Sequence, residues 1–195
     1  MGLIPYVEKS NASPDVAALY GKLELKYKRS LFNSLKMLGH LPEVLEVFVP
    51  FADALMKRGK LDRRVKELAV LRTTILNKCN YCATHRYYSA KLAGLTHAEI
   101  MEVHRFRESA RFSEREKLAM AFAEEVTLHP GELNADLLEA ARKAFDPASL
   151  VELTAAIGMM NFMNRFDNAL AVDPDLPQAP LEFYPKRERW MNDDD

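Results

Sequence analysis

Signals that start helices recur along the whole of this 195-residue chain. The tripeptide Ser13-Pro14-Asp15 places an N-cap before a proline at the first helical position. Thr96 with Glu99, and Ser113 with Glu116, have the spacing of a capping box, in which two side chains satisfy free backbone N–H groups. No segment alternates between apolar and polar residues over the length of a strand. The sequence therefore predicts an all-α fold.

Proline and glycine set the predicted helix boundaries. A helix that starts at Pro42 should be kinked or broken by Pro50, because proline lacks the N–H that a helix interior needs. Gly94 follows the helix that carries the second cysteine and is the preferred residue just past a helix end. The other helices are expected over about 14–27, 62–76, 82–93, 113–129, 134–145 and 147–172, with a short apolar turn over 31–38.

The end of the chain differs in composition from the rest. Residues 173–195 contain four prolines and finish in an acidic run, which predicts a poorly structured tail. We therefore expect a single helical domain over residues 1–172, followed by this tail. Three aromatic residues in the tail are available to dock on a neighbouring surface: Phe183, Tyr184 and Trp190.

Charge and hydropathy exclude several classes of partner. Twenty-seven basic residues against 28 acidic ones give a net charge of −1, so no overall attraction to nucleic acid or to an anionic membrane is expected. No run of about 18 apolar residues occurs that could span a bilayer. The start "MGLIPYVEKS" does not look like a signal peptide, and a cytoplasmic location is the expectation.

Both cysteines of the chain, Cys79 and Cys82, lie in the stretch "NKCNYCATHR". A disulfide across so short a loop adds little stability, since the entropy it removes grows with loop length. Three interpretations stay open: buried structural thiols, a zinc site and a redox pair. For zinc, the ligands would be Cys79, Cys82 and His85, with a fourth from Glu67, His97 or His104.

The redox interpretation accounts for the most residues. Cys79 should lie at or just before a helix N-terminus, where the helix dipole lowers the pKa of a thiol. Cys82 follows one turn later, within reach for a reversible disulfide. His85 and Arg86 come three and four residues after Cys82, so both can lie on its face of the helix and stabilise a thiolate. Histidine can also pass a proton near neutral pH.

Glu67 is the second candidate group. It lies in the helix "KELAVLRTTIL", which is apolar on several faces and should be largely buried. A buried carboxylate is costly unless it is paired or needed for chemistry. Glu67 could relay a proton to or from a cysteine. The structural alternative is an ion pair with an arginine of the same helix region, namely Arg63, Arg64 or Arg72.

At these residues the sequence resembles a known family. The stretch "KELAVLRTTILNKCNYCATHRYYSAKLAGLTHAEI" is similar to the core of the alkylhydroperoxidase D-like (carboxymuconolactone decarboxylase) family. The shared pattern is a glutamate, a CxxC pair about a dozen residues later, a nearby histidine and an Ala-Gly-Leu helix end. The stretches "FSEREKLAMAFAEEVT" and "GMMNFMNRFDNALAV" resemble later helices of its peroxidase-related branch, so the likeness covers roughly residues 15–172.

The resemblance implies an all-helical subunit that assembles into trimers or hexamers. It also implies reduction of hydroperoxides without metal or other cofactor, with electrons from a dithiol partner such as a thioredoxin-like or lipoyl-bearing protein. In that scheme Cys82 attacks the peroxide and Cys79, the more exposed sulfur, resolves it and meets the reductant. A thioredoxin analogy reverses the two roles. Arg86 stands where the family usually has its relay histidine, which leaves His85 and Glu67 as the proton-carrying groups.

Other residues and activities complete the expectations. Arg86 and Tyr87 are candidates for binding substrate. The polar residues of the last helix either line the site or pack against a partner subunit; they are Asn161, Asn164, Arg165, Asp167 and Asn168. A cofactor-free decarboxylase or lactone-ring enzyme is one alternative function, although relatives with that activity commonly lack the cysteine pair. A non-enzymatic CxxC redox sensor is the other.

Overall fold

The computed structural model describes residues 2–180, and these residues form α-helices without any β-strand. No helix among them is both long and apolar enough to cross a membrane. The helices are, in chain order, α1 (Pro14–Tyr27), α2 (Asn33–Leu38), α3 (Pro42–Lys57), α4 (Arg63–Leu76), α5 (Asn80–Leu92), α6 (His97–Glu102), α7 (Glu114–Leu128), α8 (Ala135–Ala144) and α9 (Pro147–Ala169), with a 3₁₀ turn (Val103–Arg105) after α6. The predicted all-α, single-domain fold is confirmed.

The predicted N-caps lie where their sequence signals place them. Ser13 Oγ accepts a hydrogen bond from the N–H of Val16 at the start of α1. Both predicted capping boxes are present, one at the start of α6 and one at the start of α7. Each cap satisfies backbone donors that the first turn of a helix leaves free. The remaining side-chain caps are Asp62 for α4, Cys79 for α5, Asn134 for α8 and Asp146 for α9.

The structure departs from two of the predicted boundaries. The helix α3 continues through Pro50 instead of breaking there. Proline removes only one backbone hydrogen bond, and buried side chains on both sides of it, Val49 and Met56, hold the two halves against the domain. The last helix ends at Ala169 rather than near residue 172, because Ala171 adopts a left-handed φ of 49° that a helix cannot contain.

The helix α4 runs through the centre of the domain and packs against α5, α7 and α9. Its residues 65–71 are all buried, as the apolar breadth of the sequence predicted. Even Lys66 is enclosed: its Nζ lies 2.5 Å from Glu152 Oε1 and donates to the carbonyl of Leu55 at 3.0 Å. This ion pair joins α4 to α9 and satisfies a charge that burial would otherwise disfavour.

The chain beyond α9 returns across the domain. We name residues 173–180 the C-terminal strap. It has no regular secondary structure, yet Ala179 is buried and its N–H donates to Thr84 Oγ1 of α5 at 3.4 Å. The strap thus lacks regular secondary structure, as expected of the tail, but specific hydrogen bonds hold it against the domain. Residues 181–195, including the aromatic residues proposed to dock, lie outside the described part of the chain.

Candidate active site

The turn between α4 and α5 positions the cysteine pair. Lys78 takes a left-handed φ of 51°, a conformation that a right-handed helix cannot contain. The chain therefore changes direction after α4, and Cys79 follows as the N-cap of α5. Cys79 Sγ accepts the N–H of Cys82 at 3.3 Å. Cys79 therefore lies at the positive end of a helix dipole, as the sequence predicted.

Polar residues of α9 hold this turn in place. Asn77 Nδ2 donates to Asn161 Oδ1 at 2.9 Å and to Asn164 Oδ1 at 3.1 Å. In return, Asn168 Nδ2 donates to the carbonyl of Asn77 at 3.0 Å. The unusual polarity of α9 thus serves the geometry of the site, because three asparagines one turn apart fix the turn that carries Cys79.

Cys79 and Cys82 form a disulfide, with their Cα atoms 5.3 Å apart. Cys79 is fully buried at 0% exposure, whereas Cys82 is 5% exposed and lines a cavity. The expectation that Cys79 would be the more exposed sulfur is therefore wrong: as N-cap it is enclosed by a cluster with Met37, Tyr81 and Val172. Access to the pair is through Cys82.

A buried carboxyl group lies directly beside Cys82. Asp167 Oδ2 is 3.2 Å from Cys82 Sγ, and Asp167 Oδ1 accepts a hydrogen bond from Ser34 Oγ at 2.7 Å. Burial raises the pKa of Asp167 to about 7; the Ser34 hydrogen bond opposes this rise and the charge of Asp175 adds to it. The sulfur of a disulfide carries no proton, so a hydrogen bond across this distance requires a protonated Asp167 as its donor.

From the sequence alone, Asp167 is distinguished only as one of several polar residues in an otherwise apolar helix. Its partnership with a cysteine 85 positions earlier depends on how α9 crosses α5, which periodicity does not show. The available signal was the acidic side chain itself, since an unpaired carboxylate within an apolar helix indicates a function or a partner.

His85 faces the strap. Its Nε2 lies 2.7 Å from Asp175 Oδ1, and its ring packs against the rings of Phe32 and Tyr81 at centroid distances of 4.5 and 4.4 Å. The same aspartate accepts hydrogen bonds from the Asn33 N–H at 2.6 Å and the Tyr81 hydroxyl at 3.2 Å. His85 lines the cavity beside Cys82, but its observed hydrogen bond goes to the strap.

Glu67 is buried, as predicted, and forms an ion pair with Arg86, whose Nη1 lies 3.3 Å from Glu67 Oε2. The partner is thus not one of the three arginines proposed from the sequence, although Arg63 lines the same cavity as Glu67. Arg64 pairs with Glu99 and Glu116, and Arg72 with Glu124. Glu67 and Arg86 both line the cavity with Cys82, so the pair adds charge to the site without a direct hydrogen bond to a sulfur.

Tyr87 is not among the residues that line this cavity. It comes five residues after Cys82, about 140° around the helix from it, whereas Arg86 comes four residues after and lies on the same face. The Tyr87 hydroxyl contacts His97 Nδ1 at 3.2 Å instead, and its ring packs against the core on the other side of α5. Of the two candidates for substrate binding, the structure places Arg86 at the cavity and Tyr87 away from it.

The alternative zinc ligands do not come together. Among residues 2–180, the group with ligand atoms within 4.8 Å of one another is Cys79, Cys82 and Asp167. His85 lies against Asp175 rather than in this group, and the disulfide removes the thiolate form that a metal binds.

The cavity has a volume of about 350 Å³, at the lower end of the range for small-molecule sites. Cys82, Asp167, Glu67, His85 and Arg86 lie on its wall. The rest of the wall is mainly aromatic, aliphatic and methionine side chains from α1, the start of α2, α3 and α9, with further charged groups. They include Tyr27, Phe32, Phe48, Met56, Met159, Met160 and Met163, and the charged residues Arg29, Asp53, Lys57 and Arg63.

This combination defines a class: an all-helical protein that carries a CxxC pair at the N-terminus of a helix, with one sulfur open to a cavity. Residues 42–125 match the carboxymuconolactone decarboxylase family. This match supports assignment to that family, and the solved structures show that the chain has the alkylhydroperoxidase D-like fold, as the resemblance indicated.

Individual relatives are similar to this chain over most of its length. The uncharacterized protein YnjA of Escherichia coli K12 is 28% identical over 168 residues, which cover 85% of this chain and 89% of YnjA. A peroxidase-related protein of Ralstonia eutropha JMP134, described as an alkylhydroperoxidase AhpD core, matches with a TM-score of 0.76 at 23% identity and covers 89% of this chain and 92% of its own. The debrominase Bmp8 matches with a TM-score of 0.72 at 20% identity, over 87% and 90% of the two chains. The two structural likenesses show a shared fold.

Proposed function

We propose that this protein is a thiol-dependent peroxidase that reduces organic hydroperoxides through Cys82 and Cys79. One observation carries the proposal. Cys82 opens onto a cavity, is bonded to a resolving cysteine, and lies 3.2 Å from a carboxyl group, that of Asp167, whose pKa of about 7 suits it to both accept and donate a proton. The peroxidase-related description of the Ralstonia eutropha protein supports the same chemistry.

The reaction begins from the dithiol. Asp167 takes the proton of the Cys82 thiol, and the thiolate attacks the terminal oxygen of the hydroperoxide. The O–O bond breaks, Cys82 becomes a sulfenic acid, and the departing alkoxide receives a proton from Asp167 to leave as an alcohol. Cys79 then attacks the Cys82 sulfur and releases water, which gives the disulfide that the structure contains.

A dithiol reductant closes the cycle by thiol–disulfide exchange. Because Cys79 is fully buried, we expect the reductant's thiolate to enter through the cavity and attack Cys82, so that Cys79 leaves as the thiolate. The helix dipole at the N-terminus of α5 stabilises that leaving thiolate. The reductant supplies both electrons, so the scheme needs no further cofactor; a thioredoxin-like or lipoyl-bearing protein would have the required chemistry.

The test is consumption of an organic hydroperoxide, such as cumene hydroperoxide, with dihydrolipoamide as the dithiol. Cys82→Ser should abolish turnover. Cys79→Ser should react once and leave Cys82 as a sulfenic acid, which dimedone traps and mass spectrometry locates. Asp167→Asn should lower turnover by roughly 10²-fold or more, the usual contribution of a general acid–base group.

The alternatives give different results in the same experiment. A redox sensor would oxidise once and show no sustained consumption with the reductant. A decarboxylase or lactone-ring enzyme would keep its activity without both thiols. Reduction of a brominated pyrrole but of no hydroperoxide would point to the chemistry named for the debrominase relative. Unchanged peroxide turnover in the Cys82→Ser variant would refute the proposal.

A further inference from the structure

The charges on the cavity wall are only partly paired. Asp53 is held by Lys57 at 2.7 Å and by Arg58 at 3.0 Å. Glu67 is held by Arg86, and Asp167 is buried beside Cys82. The carboxylates of the wall are therefore already engaged. Within residues 2–180, the two exposed cavity arginines, Arg29 and Arg63, form no salt bridge, although the charge of Asp53 acts on Arg29.

A hydrogen-bond donor on the same wall is also unused. The hydroxyl of Tyr27 is buried and has no hydrogen-bond partner within the described residues. Buried hydroxyl groups are normally paired, so an orphaned one at a cavity indicates a ligand atom. Tyr27 is close enough to Arg29 to affect its charge, and Arg86 acts on the same guanidinium. Arg29 and the Tyr27 phenol thus lie near each other on the cavity wall, and Arg63 lines the same cavity.

The remaining wall is apolar. Met56 of α3 and Met159, Met160 and Met163 of α9 line it, together with the ring of Phe48. Methionine side chains are flexible and polarizable, and they adapt to apolar groups of different shape. A ligand that matches this cavity has an anionic group at one end and an apolar body.

We propose that the substrate is an organic hydroperoxide that carries a carboxylate. Arg29, Arg63 and the Tyr27 hydroxyl bind the carboxylate, the methionines contact the apolar body, and the peroxide lies at Cys82. A guanidinium group suits this role because its planar fork matches the two oxygens of a carboxylate. This inference rests on the proposed function and leaves its bond changes unaltered, since the carboxylate takes no part in the O–O cleavage.

A matched pair of substrates tests the inference. Cumene hydroperoxide with a para-carboxylate and the methyl ester of the same compound differ chiefly in charge. We expect kcat/KM to be at least tenfold higher for the acid, about what one charge-assisted hydrogen bond supplies. Arg29→Gln, Arg63→Gln and Tyr27→Phe should each lower the kcat/KM for the acid towards that for the ester, so that the ratio between the two substrates falls. Arg105→Gln, at an exposed arginine outside the cavity, should change neither.

Binding provides a second measurement that does not need turnover. The disulfide form should bind 4-isopropylbenzoate more tightly than its methyl ester by calorimetry, and the same three substitutions should remove the difference. Equal turnover and equal binding of acid and ester would overturn the inference while leaving the peroxidase proposal intact. Preferential binding of the acid without reduction of either hydroperoxide would instead refute the proposed function and keep the carboxylate site.

Discussion

At the scale of single residues, Asp167 is a buried carboxyl group without a cationic partner among residues 2–180. Its carboxyl group accepts a hydrogen bond from the Ser34 hydroxyl and lies against the sulfur of Cys82. A buried carboxylate is normally compensated by a cation, and here a sulfur atom occupies that place. The arrangement costs stability when the group ionises. That cost is tolerable because a carboxyl that can change protonation near neutral pH is useful beside a reactive thiol.

The residue-scale prediction concerns this cost. The pKa of Asp167 is about 7 in the folded protein and 3.8 in the unfolded chain. The carboxyl group therefore ionises more readily in the unfolded chain, and the folded protein loses stability as pH rises from 3.8 to about 7. Asp167→Asn keeps the shape and the Ser34 acceptor but cannot ionise. We expect the variant to be more stable than the parent protein at about pH 8, by at most about 4 kcal/mol, with a smaller gain at about pH 5. Urea unfolding of the disulfide form at the two pH values measures this.

Glu67→Gln is the matched control, because it is the same change at the other buried carboxylate of the cavity. Glu67 has a cationic partner in Arg86, so loss of its charge should destabilise the protein by about 1–3 kcal/mol. At about pH 8 we therefore expect Asp167→Asn to raise the free energy of unfolding and Glu67→Gln to lower it. An Asp167→Asn protein no more stable than its parent there would contradict the account of Asp167.

At the scale of elements, the sequence predicted where helices begin, but it did not predict which residues of different helices come into contact. The caps of α1, α6 and α7 depend on residues within three positions of each other, so their spacing was sufficient. The start of α5 at the cysteine pair was predicted for the same reason. The contacts of Asp167 with Cys82 and of Asp175 with His85 join residues 85 and 90 positions apart. These contacts depend on how whole helices pack, and no local pattern encodes them.

The C-terminal strap shows the limit of composition as a guide. Prolines and acidic residues suggested a loose tail, yet one of those acids, Asp175, is the acceptor for three groups of α2 and α5. Burial pushes the pKa of Asp175 upward, but the hydrogen bonds from His85 and the Asn33 N–H outweigh it and leave the pKa below its usual value. The strap is therefore held by an ionised carboxylate.

The element-scale prediction follows from that attachment. Asp175→Ala leaves the Asn33 N–H, the Tyr81 hydroxyl and the His85 ring without their acceptor, so the free energy of unfolding should fall by about 1–3 kcal/mol. The strap should open, and hydrogen exchange at Ala179 should lose protection. In the unaltered protein the same opening should occur as pH falls below about 4, because a depressed pKa stabilises only while the group is ionised. Asp175→Asn, which keeps one acceptor oxygen, should retain part of the protection; full protection in Asp175→Ala would show that other contacts hold the strap.

At the scale of the whole molecule, α3 has more apolar surface than one subunit buries. One face places Leu45, Val49 and Met56 in the core. The opposite face exposes Val44, Val47 and Phe51, which recur at the three- and four-residue spacing of a helix stripe. Contiguous exposed apolar surface of this kind is typical of an interface with another protein.

We therefore predict that the protein is a homo-oligomer whose interface includes this face of α3; the family resemblance implies a trimer or a dimer of trimers. Light scattering at micromolar concentration should give a mass near three or six times the 22.2 kDa of one chain. Val47→Asp with Phe51→Asp should shift the mass towards one chain, since a charge at the centre of an apolar interface loses its water without gaining a partner. Leu25→Asp is the matched control, because Leu25 is also exposed and apolar but lies on α1, away from the stripe. A mass near 22.2 kDa for the unaltered protein would refute the prediction; an oligomer that survives the double substitution would place its interface elsewhere.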